Sequence, residues 1–296
     1  MDEVDEAIAE LLELEGRLTH REIAAAVGLS RSTAAARTER LISTGQVTVK
    51  GVVHPTVLGL HALAYVSLTL NGPAAEVAAE VAKRPEAPLV SIVSGARPVV
   101  LELRVADSAE VAQFITELRQ LKGVVAVDTL SYVDLVRDVV APVGDVTAQV
   151  DAVDARILQI LQEDGRCSFV EIAKRIGMSP GGARRRVVRL IDGGVVRMGG
   201  LMRHSSRDRQ SAMGLGMRLS GDHRVVIDAL EKIAGVIFIA HTLGRFDLLV
   251  TVRGFSNQQL CATLDEIRAI PGAGEVETWA HLDIVKESYA SAILSL

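Results

Sequence analysis

Residues 179–197 read SPGGARRRVVRLIDGGVVR, a pattern that predicts one short helix followed by the start of a strand. Ser179 is suited to cap this helix and Pro180 to occupy its first turn. Apolar side chains recur at helical spacing and predict one buried face: Ala183, Val187, Leu190 and Ile191. The opposite face and its flanks are rich in arginine: Gly181, Arg184, Arg185, Arg186, Val188 and Arg189. Such a helix is typical of a DNA major-groove reader, because arginine donates forked hydrogen bonds to guanine and attracts phosphates. A solvated surface helix shows the same pattern, so the helix alone leaves both interpretations open.

The pattern occurs twice in the chain. A shift of 149 residues aligns the first half with the second: Val4-Asp5 with Val153-Asp154, Glu15-Gly16-Arg17 with Asp164-Gly165-Arg166, Arg40-Leu41 with Arg189-Leu190, Gly95 with Gly244, and Thr129 with Thr278. This period indicates duplication of a unit of about 140 residues rather than a solenoid, whose repeats are about 20 to 50 residues long. Small and turn-forming residues at positions 141–145 mark the join between the copies.

Composition limits the possible classes of protein. The chain has 296 residues, a net charge of −5 and 49% apolar residues, which is ample for several packed domains. Its apolar runs are short and broken by charges, which predicts no membrane span, and its acidic start is unlike a signal peptide. Cys167 and Cys261 form no CxxC motif, and the seven histidines show no ligand spacing. We therefore expect a cytoplasmic protein with no disulfide framework, no metal site and no cofactor.

Further elements surround the arginine helix in each copy. In the first copy, apolar spacing predicts a helix over residues 4–12. Thr19 and Glu22 form a capping box for a second helix, and Ser30 caps a third. Residues 47–50 are rich in β-formers and predict the first strand of a hairpin wing. Three helices, a tight glycine turn and a wing make a winged helix-turn-helix.

The third helix of each copy, capped by Ser30 or Ser179, is the one expected to enter the DNA groove, and we call these two the reading helices. They and the strand that follows supply the candidate DNA contacts. They are Ser179, Gly181, Gly182, Arg184, Arg185, Arg186, Arg189 and Arg197 in the second copy, and Ser30, Arg31, Ser32, Thr33, Arg37 and Arg40 in the first. Residues 1–50 hold six basic and nine acidic side chains, whereas residues 151–200 hold nine basic and six acidic ones. Arg203, Arg207 and Arg209 extend the second basic run. We therefore expect the second copy to bind DNA more strongly than the first, where Glu39 repels phosphates.

A second module follows each helix-turn-helix. Strands are predicted at 61–70, 89–94, 99–105 and 124–133, with helices at 73–84 and 108–121; the second copy repeats them with strands at 212–219, 236–242, 246–252 and 274–285 and helices at 224–233 and 257–270. The order βαββαβ is the ferredoxin-like split motif. The predicted fold class is α+β, with two tandem units. Their domains are winged helix-turn-helices at 1–55 and 150–205 and ferredoxin-like effector and dimerisation modules at 56–140 and 206–296.

These motifs resemble those of the Lrp/AsnC (feast/famine) transcriptional regulators. The resemblance is carried by Asp154-x-x-Ile157-Leu158, Asp164-Gly165-Arg166, Ile172-Ala173, Ser179, Arg186-x-x-Arg189-Leu190, Gly194, Gly244-Arg245-Phe246-Asp247, Pro271-Gly272 and Thr278. It implies that the ferredoxin-like modules dimerise by sheet packing and bind small effectors, often amino acids. It also implies a pseudo-dimer within one chain, which self-associates further into a homo-oligomer, a dimer or higher.

The resemblance further implies an effector pocket at the turn between the second and third strands of the ferredoxin-like module. The candidate effector-binding residues are Thr242, Leu243, Gly244, Arg245, Phe246, Asp247 and Thr278. The carboxylate of Asp247 would hold an amino group, and the first copy lacks it because Pro98 stands at the equivalent position. Aspartate also closes β-turns for structural reasons, so that alternative stays open.

We expect a transcriptional regulator without catalytic activity, whose partners are double-stranded DNA and a small-molecule effector of the amino acid class. One alternative is an enzyme similar to the siroheme decarboxylases, which resemble this family. Residues 198–204 are the one local feature similar to them, whereas an aromatic content of 3% is low for a macrocycle site. The other alternative is an effector-binding protein that has lost DNA binding.

Overall fold

The computed structural model describes residues 2–202, 211–254 and 256–289. Its helices are α1 (Glu3–Leu14), α2 (His20–Val27), α3 (Arg31–Ser43), α4 (Ala74–Val81), α5 (Ser108–Gln120), α6 (Ala152–Glu163), α7 (Phe169–Ile176), α8 (Pro180–Asp192), α9 (His223–Leu230) and α10 (Asn257–Arg268). Its strands are β1 (Val47–Val53), β2 (Ala62–Leu70), β3 (Leu89–Val93), β4 (Val99–Val105), β5 (Val124–Asp138), β6 (Val196–Met202), β7 (Ser211–Arg218), β8 (Val236–Leu243), β9 (Leu248–Gly254) and β10 (Glu275–Glu287). None of the described helices is long and apolar enough to cross a membrane. The predicted α+β class is confirmed.

Contacts divide the chain into two compact units. One unit holds the helix-turn-helix segments of both copies, at residues 2–58 and 139–202. The other holds residues 59–138 together with the described residues from 211 to 289. Each unit therefore contains one segment from each half of the sequence.

In the first unit, α1–α3 and α6–α8 form two helical cores with the predicted faces inward. On α8, Ala183, Val187 and Leu190 are buried together with Ile157 of α6 and Ile172 of α7. The capping box predicted for α2 is present, since the Thr19 and Glu22 side chains bond each other's backbone N–H groups. Because the apolar face of each helix is buried in the core, its opposite face is the one left exposed at the surface.

The prediction of a hairpin wing is wrong, because β1 pairs with the other copy. It runs antiparallel to β6, with Val47 opposite Met202 and Val53 opposite Val196, and the two strands form a two-stranded sheet. A short 3-10 helix, Pro55–Leu58, follows β1 where a return strand was expected. Each copy therefore completes its sheet with a strand from the other copy.

Reciprocal contacts join the two helix-turn-helix copies on either side of this sheet. Gly16 N–H donates to the Met198 carbonyl and Gly165 N–H to the Val49 carbonyl, each at 2.9 Å. A Cβ atom at Gly165 would lie 2.9–3.1 Å from the Lys50 backbone, so glycine permits this close approach. Arg166 Nη1 donates to the Gly16 carbonyl at 2.6 Å. Its counterpart Arg17 reaches the Cys167 carbonyl at 2.8 Å, and burial lowers the pKa of both guanidinium groups.

In the second unit, two βαββαβ modules close one barrel. The first contributes the strand order β3-β4-β2-β5 and the second β8-β9-β7-β10. The pairs β5–β8 and β10–β3 join the two sheets into a closed eight-stranded barrel. Strand β5 runs five residues beyond the predicted end at residue 133, because this extension pairs with β8 as far as Asp138 opposite Phe238.

Aromatic and charged side chains are buried together between the two sheets. Tyr65 packs against Trp279 at a ring distance of 5.8 Å. Glu102 and Arg104 of β4 are also buried and form an ion pair. His281 of β10 is paired through Nδ1 with the Ser91 hydroxyl at 2.9 Å, and burial lowers its pKa to about 4. A neutral imidazole therefore belongs to the native barrel at neutral pH.

Candidate nucleic-acid interface and ligand-binding turn

The outward face of α8 is open and carries two arginines that have no partner among the described residues. Ser179 caps the helix by accepting a hydrogen bond from Gly182 N–H at 3.2 Å, as predicted. Arg184 and Arg185 are exposed and form no ion pair or hydrogen bond with the part of the chain that the structure describes. An open cavity of about 1020 Å³ lies along this face, next to Val188.

The other two arginines of α8 are held by aspartates of its own copy. Arg186 Nη1 lies 2.7 Å from Asp151 Oδ2 and 2.9 Å from Asp154 Oδ1. Arg189 Nη2 lies 2.5 Å from Asp154 Oδ2, and the side chain of Asp154 is 1% exposed. The Arg186 guanidinium lowers the pKa of Asp151 to about 2. Charge on these two arginines is therefore balanced inside the protein.

The first copy repeats this set of ion pairs between two arginines of the third helix and two aspartates at the start of the first helix, which we call the arginine clamp. Arg37 Nη1 contacts Asp2 Oδ2 at 2.6 Å and Asp5 Oδ1 at 2.8 Å, and Arg40 Nη2 contacts Asp5 Oδ2 at 2.5 Å. The bond to Arg37 lowers the pKa of Asp2 and raises that of Arg37. Ser30 caps α3 by accepting from Thr33 N–H at 3.1 Å. The residues equivalent to Arg184 and Arg185 are alanines, of which Ala35 is half-buried and Ala36 is exposed.

The remaining predicted DNA contacts lie in different environments. Arg31, Ser32 and Thr33 are exposed at the start of α3, and Gly181 and Gly182 lie in the first turn of α8. Arg197 of β6 donates to the Leu14 carbonyl of the other copy at 2.9 Å. The basic run at Arg203, Arg207 and Arg209 lies outside the described residues. The structure therefore brings only part of the predicted set onto one surface.

Sequence reasoning missed the segment at 145–150, which lies beside α8. Thr147 N–H donates to the Gly193 carbonyl at 3.0 Å, and Arg189 Nη1 donates to the Gln149 carbonyl at 2.7 Å. Thr147 and Gln149 line the same cavity as Arg184 and Arg185. The sequence contained one sign of this neighbour. Gly193 stands where the first copy has Thr44, and the backbone there does not require glycine, so a glycine indicates that another segment packs closely against it.

The predicted effector-binding turn connects β8 and β9. The Thr242 hydroxyl donates to the Phe246 carbonyl at 2.8 Å inside the turn. Asp247 Oδ2 accepts the Leu219 N–H at 2.8 Å, which ties the turn to the end of β7. Leu243 and Asp247 are exposed, and Oδ1 of Asp247 has no partner among the described residues. One oxygen of the Asp247 carboxylate therefore holds the turn, and the other has no partner among the described residues.

Arg245 extends from this turn to the first copy. Its Nε lies 2.5 Å from Asp128 Oδ2 of β5, and its Nη1 lies 3.0 Å from Glu277 Oε2 of β10. Arg97, from the equivalent turn of the first copy, approaches the same two carboxylates at 3.8 and 3.6 Å. Neighbouring side chains on a strand point to opposite faces, so Thr278 lies on the other face of β10 from Glu277. The structure thus brings Thr242 to Asp247 together but places Thr278 apart from Arg245.

No cluster of three or more histidine, cysteine, aspartate or glutamate side chains suited to a metal occurs within the described ranges. His223 and His241 stack on each other at 5.0 Å, while His204 lies outside those ranges. The candidate functional groups are therefore the exposed arginines and hydroxyls beside α8 and, separately, the exposed turn between β8 and β9.

Helix-turn-helix cores with reading helices, joined to ferredoxin-like modules, define a DNA-binding protein with a ligand-binding domain. A model of the AsnC-type helix-turn-helix domain matches residues 1–42 and 150–191, and a model of the Lrp/AsnC ligand binding domain matches residues 215–291. The chain belongs to the Lrp/AsnC family of transcriptional regulators.

Curated relatives agree with this assignment. The HTH-type transcriptional regulator FL11 of Pyrococcus abyssi is 30% identical over 145 residues, which cover 47% of this chain and 93% of that protein. The HTH-type transcriptional regulator LysM of Sulfurisphaera tokodaii is 29% identical over 125 residues, covering 42% of this chain and 89% of LysM. Each relative corresponds to about half of this chain, as a duplicated unit would.

A solved structure of similar extent corrects one expectation. The siroheme decarboxylase NirDL, in complex with an iron-uroporphyrin III analogue, matches 96% of this chain and 93% of its own, with a TM-score of 0.61 and 15% identity. Because an enzyme has this fold over nearly the whole chain, the prediction of a protein without catalytic activity is wrong as an inference from architecture. The low identity limits this likeness to the fold.

Proposed function

We propose that the chain is a sequence-specific DNA-binding regulator in which the second helix-turn-helix is the principal reader. The observation that carries this proposal is the pair Arg184 and Arg185, exposed on α8 and unpaired among the described residues. Together with the N-terminal residues Ser179, Gly181 and Gly182, they form a surface suited to the major groove. We assign Arg186 and Arg189 mainly to holding the helix, since Asp151 and Asp154 bind them.

The two copies provide the test of this assignment. The protein is used whole, since β1 and β6 share one sheet and neither copy keeps its strand partner when excised. One variant carries Arg184→Ala and Arg185→Ala, and the other carries Ala35→Arg and Ala36→Arg. Binding to a mixed-sequence duplex of about 40 base pairs is measured across salt concentrations, since each phosphate contact contributes about 0.9 to the salt slope.

We expect the first variant to lose about 1.8 from the salt slope and the second to gain up to that amount. An unchanged slope in the Arg184→Ala, Arg185→Ala variant would overturn the assignment. If the same variant also loses its preference for a natural operator, Arg184 or Arg185 contacts bases as well as phosphates. Each such base contact is worth about 1–3 kcal/mol of discrimination.

We further propose that a small-molecule effector of the amino acid class binds at the turn of the second module, over residues 242–247. The free Oδ1 of Asp247 supports this proposal, because a carboxylate at an exposed turn suits an amino group. Asp247→Asn retains an oxygen for the Leu219 N–H but removes the charge. The amino acids are screened for thermal stabilisation of the wild type, because a ligand stabilises the native state by RT ln(1 + [L]/Kd).

An amino acid that stabilises the wild type should lose this effect in Asp247→Asn and keep it in Pro98→Ala, the matched change in the first copy. Equal stabilisation of the wild type and Asp247→Asn would show that Asp247 only closes the turn.

A second candidate function is a tetrapyrrole decarboxylase similar to NirDL. The shared fold over 96% of this chain favours it, because the likeness includes both copies. Titration of iron-uroporphyrin III with the protein tests it: a saturable shift of the Soret band relative to the free porphyrin would support this candidate, and an unshifted band would remove it.

A further inference from the structure

The segment between the two copies is fixed along the C-terminal half of α8. Thr147 N–H donates to the Gly193 carbonyl at 3.0 Å, and the Gln149 carbonyl accepts from Arg189 Nη1 at 2.7 Å. Arg189 is itself bound to the buried Asp154. These bonds attach residues 147 and 149 to α8. The apolar face of α8 is packed in the core of the second copy, so the helix is held in place.

The sequence is adapted to this arrangement. A Cβ atom at Gly193 would collide with the Cβ of Ala148 and lie 2.9 Å from the Arg189 carbonyl. The backbone at Gly193 has φ −86°, which any residue adopts, so space and not conformation requires glycine there. In the first copy Thr44 occupies the equivalent position, and its hydroxyl donates to the Arg40 carbonyl at 2.7 Å.

The segment forms one wall of the open cavity of about 1020 Å³ beside α8. Exposed Thr147 and Gln149 line this wall, and exposed Arg184 and Arg185 line the helix. Asp192 is the only acidic side chain among the residues that line it. Guanidinium groups opposite neutral hydrogen-bond donors match the chemistry of a DNA phosphate backbone.

We propose that residues 145–150 are a DNA-contacting segment of the second copy, in which Thr147 and Gln149 donate hydrogen bonds to a backbone strand seated against Arg184 and Arg185. The inference rests on the proposed DNA-binding function and adds to it a contact outside the helix-turn-helix.

The first test separates neutral from charged contacts in the whole protein. Thr147→Ala with Gln149→Ala should weaken binding to a mixed-sequence duplex of about 40 base pairs by about a hundredfold, since each hydrogen bond to a charged group is worth about tenfold or more in affinity. The salt slope should stay unchanged, because neutral groups release no counterions, whereas Arg185→Ala should lower it by about 0.9. Ser43→Ala with Gln46→Ala, at the same end of α3, is the matched control and should retain wild-type affinity.

The second test locates the segment on DNA. Cys261 is exposed and Cys167 is buried, so Cys261→Ser provides a background for Gln149→Cys labelled with an iron-EDTA reagent. Cleavage of the bound duplex from position 149, with none from a label at Gln46→Cys, supports the inference.

Unchanged affinity in the Thr147→Ala, Gln149→Ala variant overturns the inference, as does an absence of cleavage from position 149. If Arg185→Ala alone weakens binding, only this inference fails. If Arg185→Ala also leaves affinity and slope unchanged, the proposed function fails as well.

Discussion

The two reading helices share their anchored arginines and differ in their exposed ones. Arg37 and Arg40 of α3 are held by Asp5, as Arg186 and Arg189 of α8 are held by Asp154. Outside this clamp, α3 presents Ala35, Ala36 and Glu39, where α8 presents Arg184, Arg185 and Val188. What duplication has kept in both copies is the structural clamp, and what has diverged is the surface available to DNA.

The largest expected effect separates these two sets of arginines. Arg186→Met with Arg189→Met leaves the buried carboxylate of Asp154 without a positively charged partner, so we expect a loss of about 3–5 kcal/mol in the free energy of unfolding. Arg37→Met with Arg40→Met should cost a similar amount through Asp5. Urea unfolding of the whole protein measures both changes.

Arg184→Met with Arg185→Met is the matched control for this prediction. It should leave the urea midpoint near that of the wild type while weakening DNA binding, because both side chains are exposed. Equal stability of the clamp and control variants would contradict the division into structural and functional arginines.

The two barrel halves differ in a similar way, since His281 occupies the position of Tyr132 in the first copy. Burial lowers the pKa of His281 from 6.5 to about 4, so between these values the unfolded chain binds a proton that the native chain does not. The contribution of the neutral His281 side chain to the free energy of unfolding is complete above pH 6.5 and is lost as the pH falls towards 4. At about 1.4 kcal/mol per unit, the loss approaches about 3 kcal/mol.

His281→Gln should flatten this part of the stability profile relative to the wild type, as followed by urea unfolding at successive pH values. His20→Gln, at the start of α2 and outside the barrel, is the matched control and should retain the wild-type slope. A wild-type slope that survives in His281→Gln would place the titrating group elsewhere.

A smaller effect distinguishes the ends of the reading helices. Gly193→Ala should destabilise the protein by about 1–3 kcal/mol through the collision with Ala148, although a glycine-to-alanine change at this backbone conformation otherwise stabilises. Thr44→Ala in the first copy meets no such neighbour and should change stability little. Adding Ala148→Gly to Gly193→Ala should restore much of the loss, as thermal unfolding will show.

The smallest expected effect concerns Glu39 and Val188, which are equivalent. Glu39→Val removes a negative charge from the exposed face of α3 and should tighten binding to a mixed-sequence duplex by about threefold at low salt, since exposed charges interact weakly and are screened. Val188→Glu should weaken binding by a similar factor. Opposite or absent changes in both variants would show that these positions lie away from DNA.

The sequence predicted the fold class and the faces of individual elements better than it predicted partners between copies. Helical spacing placed Ala183, Val187 and Leu190 in the core, because periodicity reports which side of a helix is apolar. The same spacing could not show that β1 pairs with β6, since a strand has the same pattern with either partner. Residues 47–50 were therefore assigned to a local hairpin.

The arginine clamp was missed for a related reason. Arg189 lies on the polar side of α8 by helical geometry, but the position of Asp154 depends on how two helices pack. The repeat contained the clue, because Asp5 and Arg40 recur together as Asp154 and Arg189. At the turn between β8 and β9, the binding of an effector by Asp247 stays a prediction, which the Asp247→Asn variant tests.

The barrel is closed by strand pairs that connect different halves of the same chain, β5 with β8 and β10 with β3. For two separate subunits, the same pairing is a second-order reaction whose yield falls on dilution. Here it is intramolecular, so its effective concentration is set by the connecting chain and not by the amount of protein present. A cell can therefore hold very few copies of this molecule and still have every one with its barrel closed.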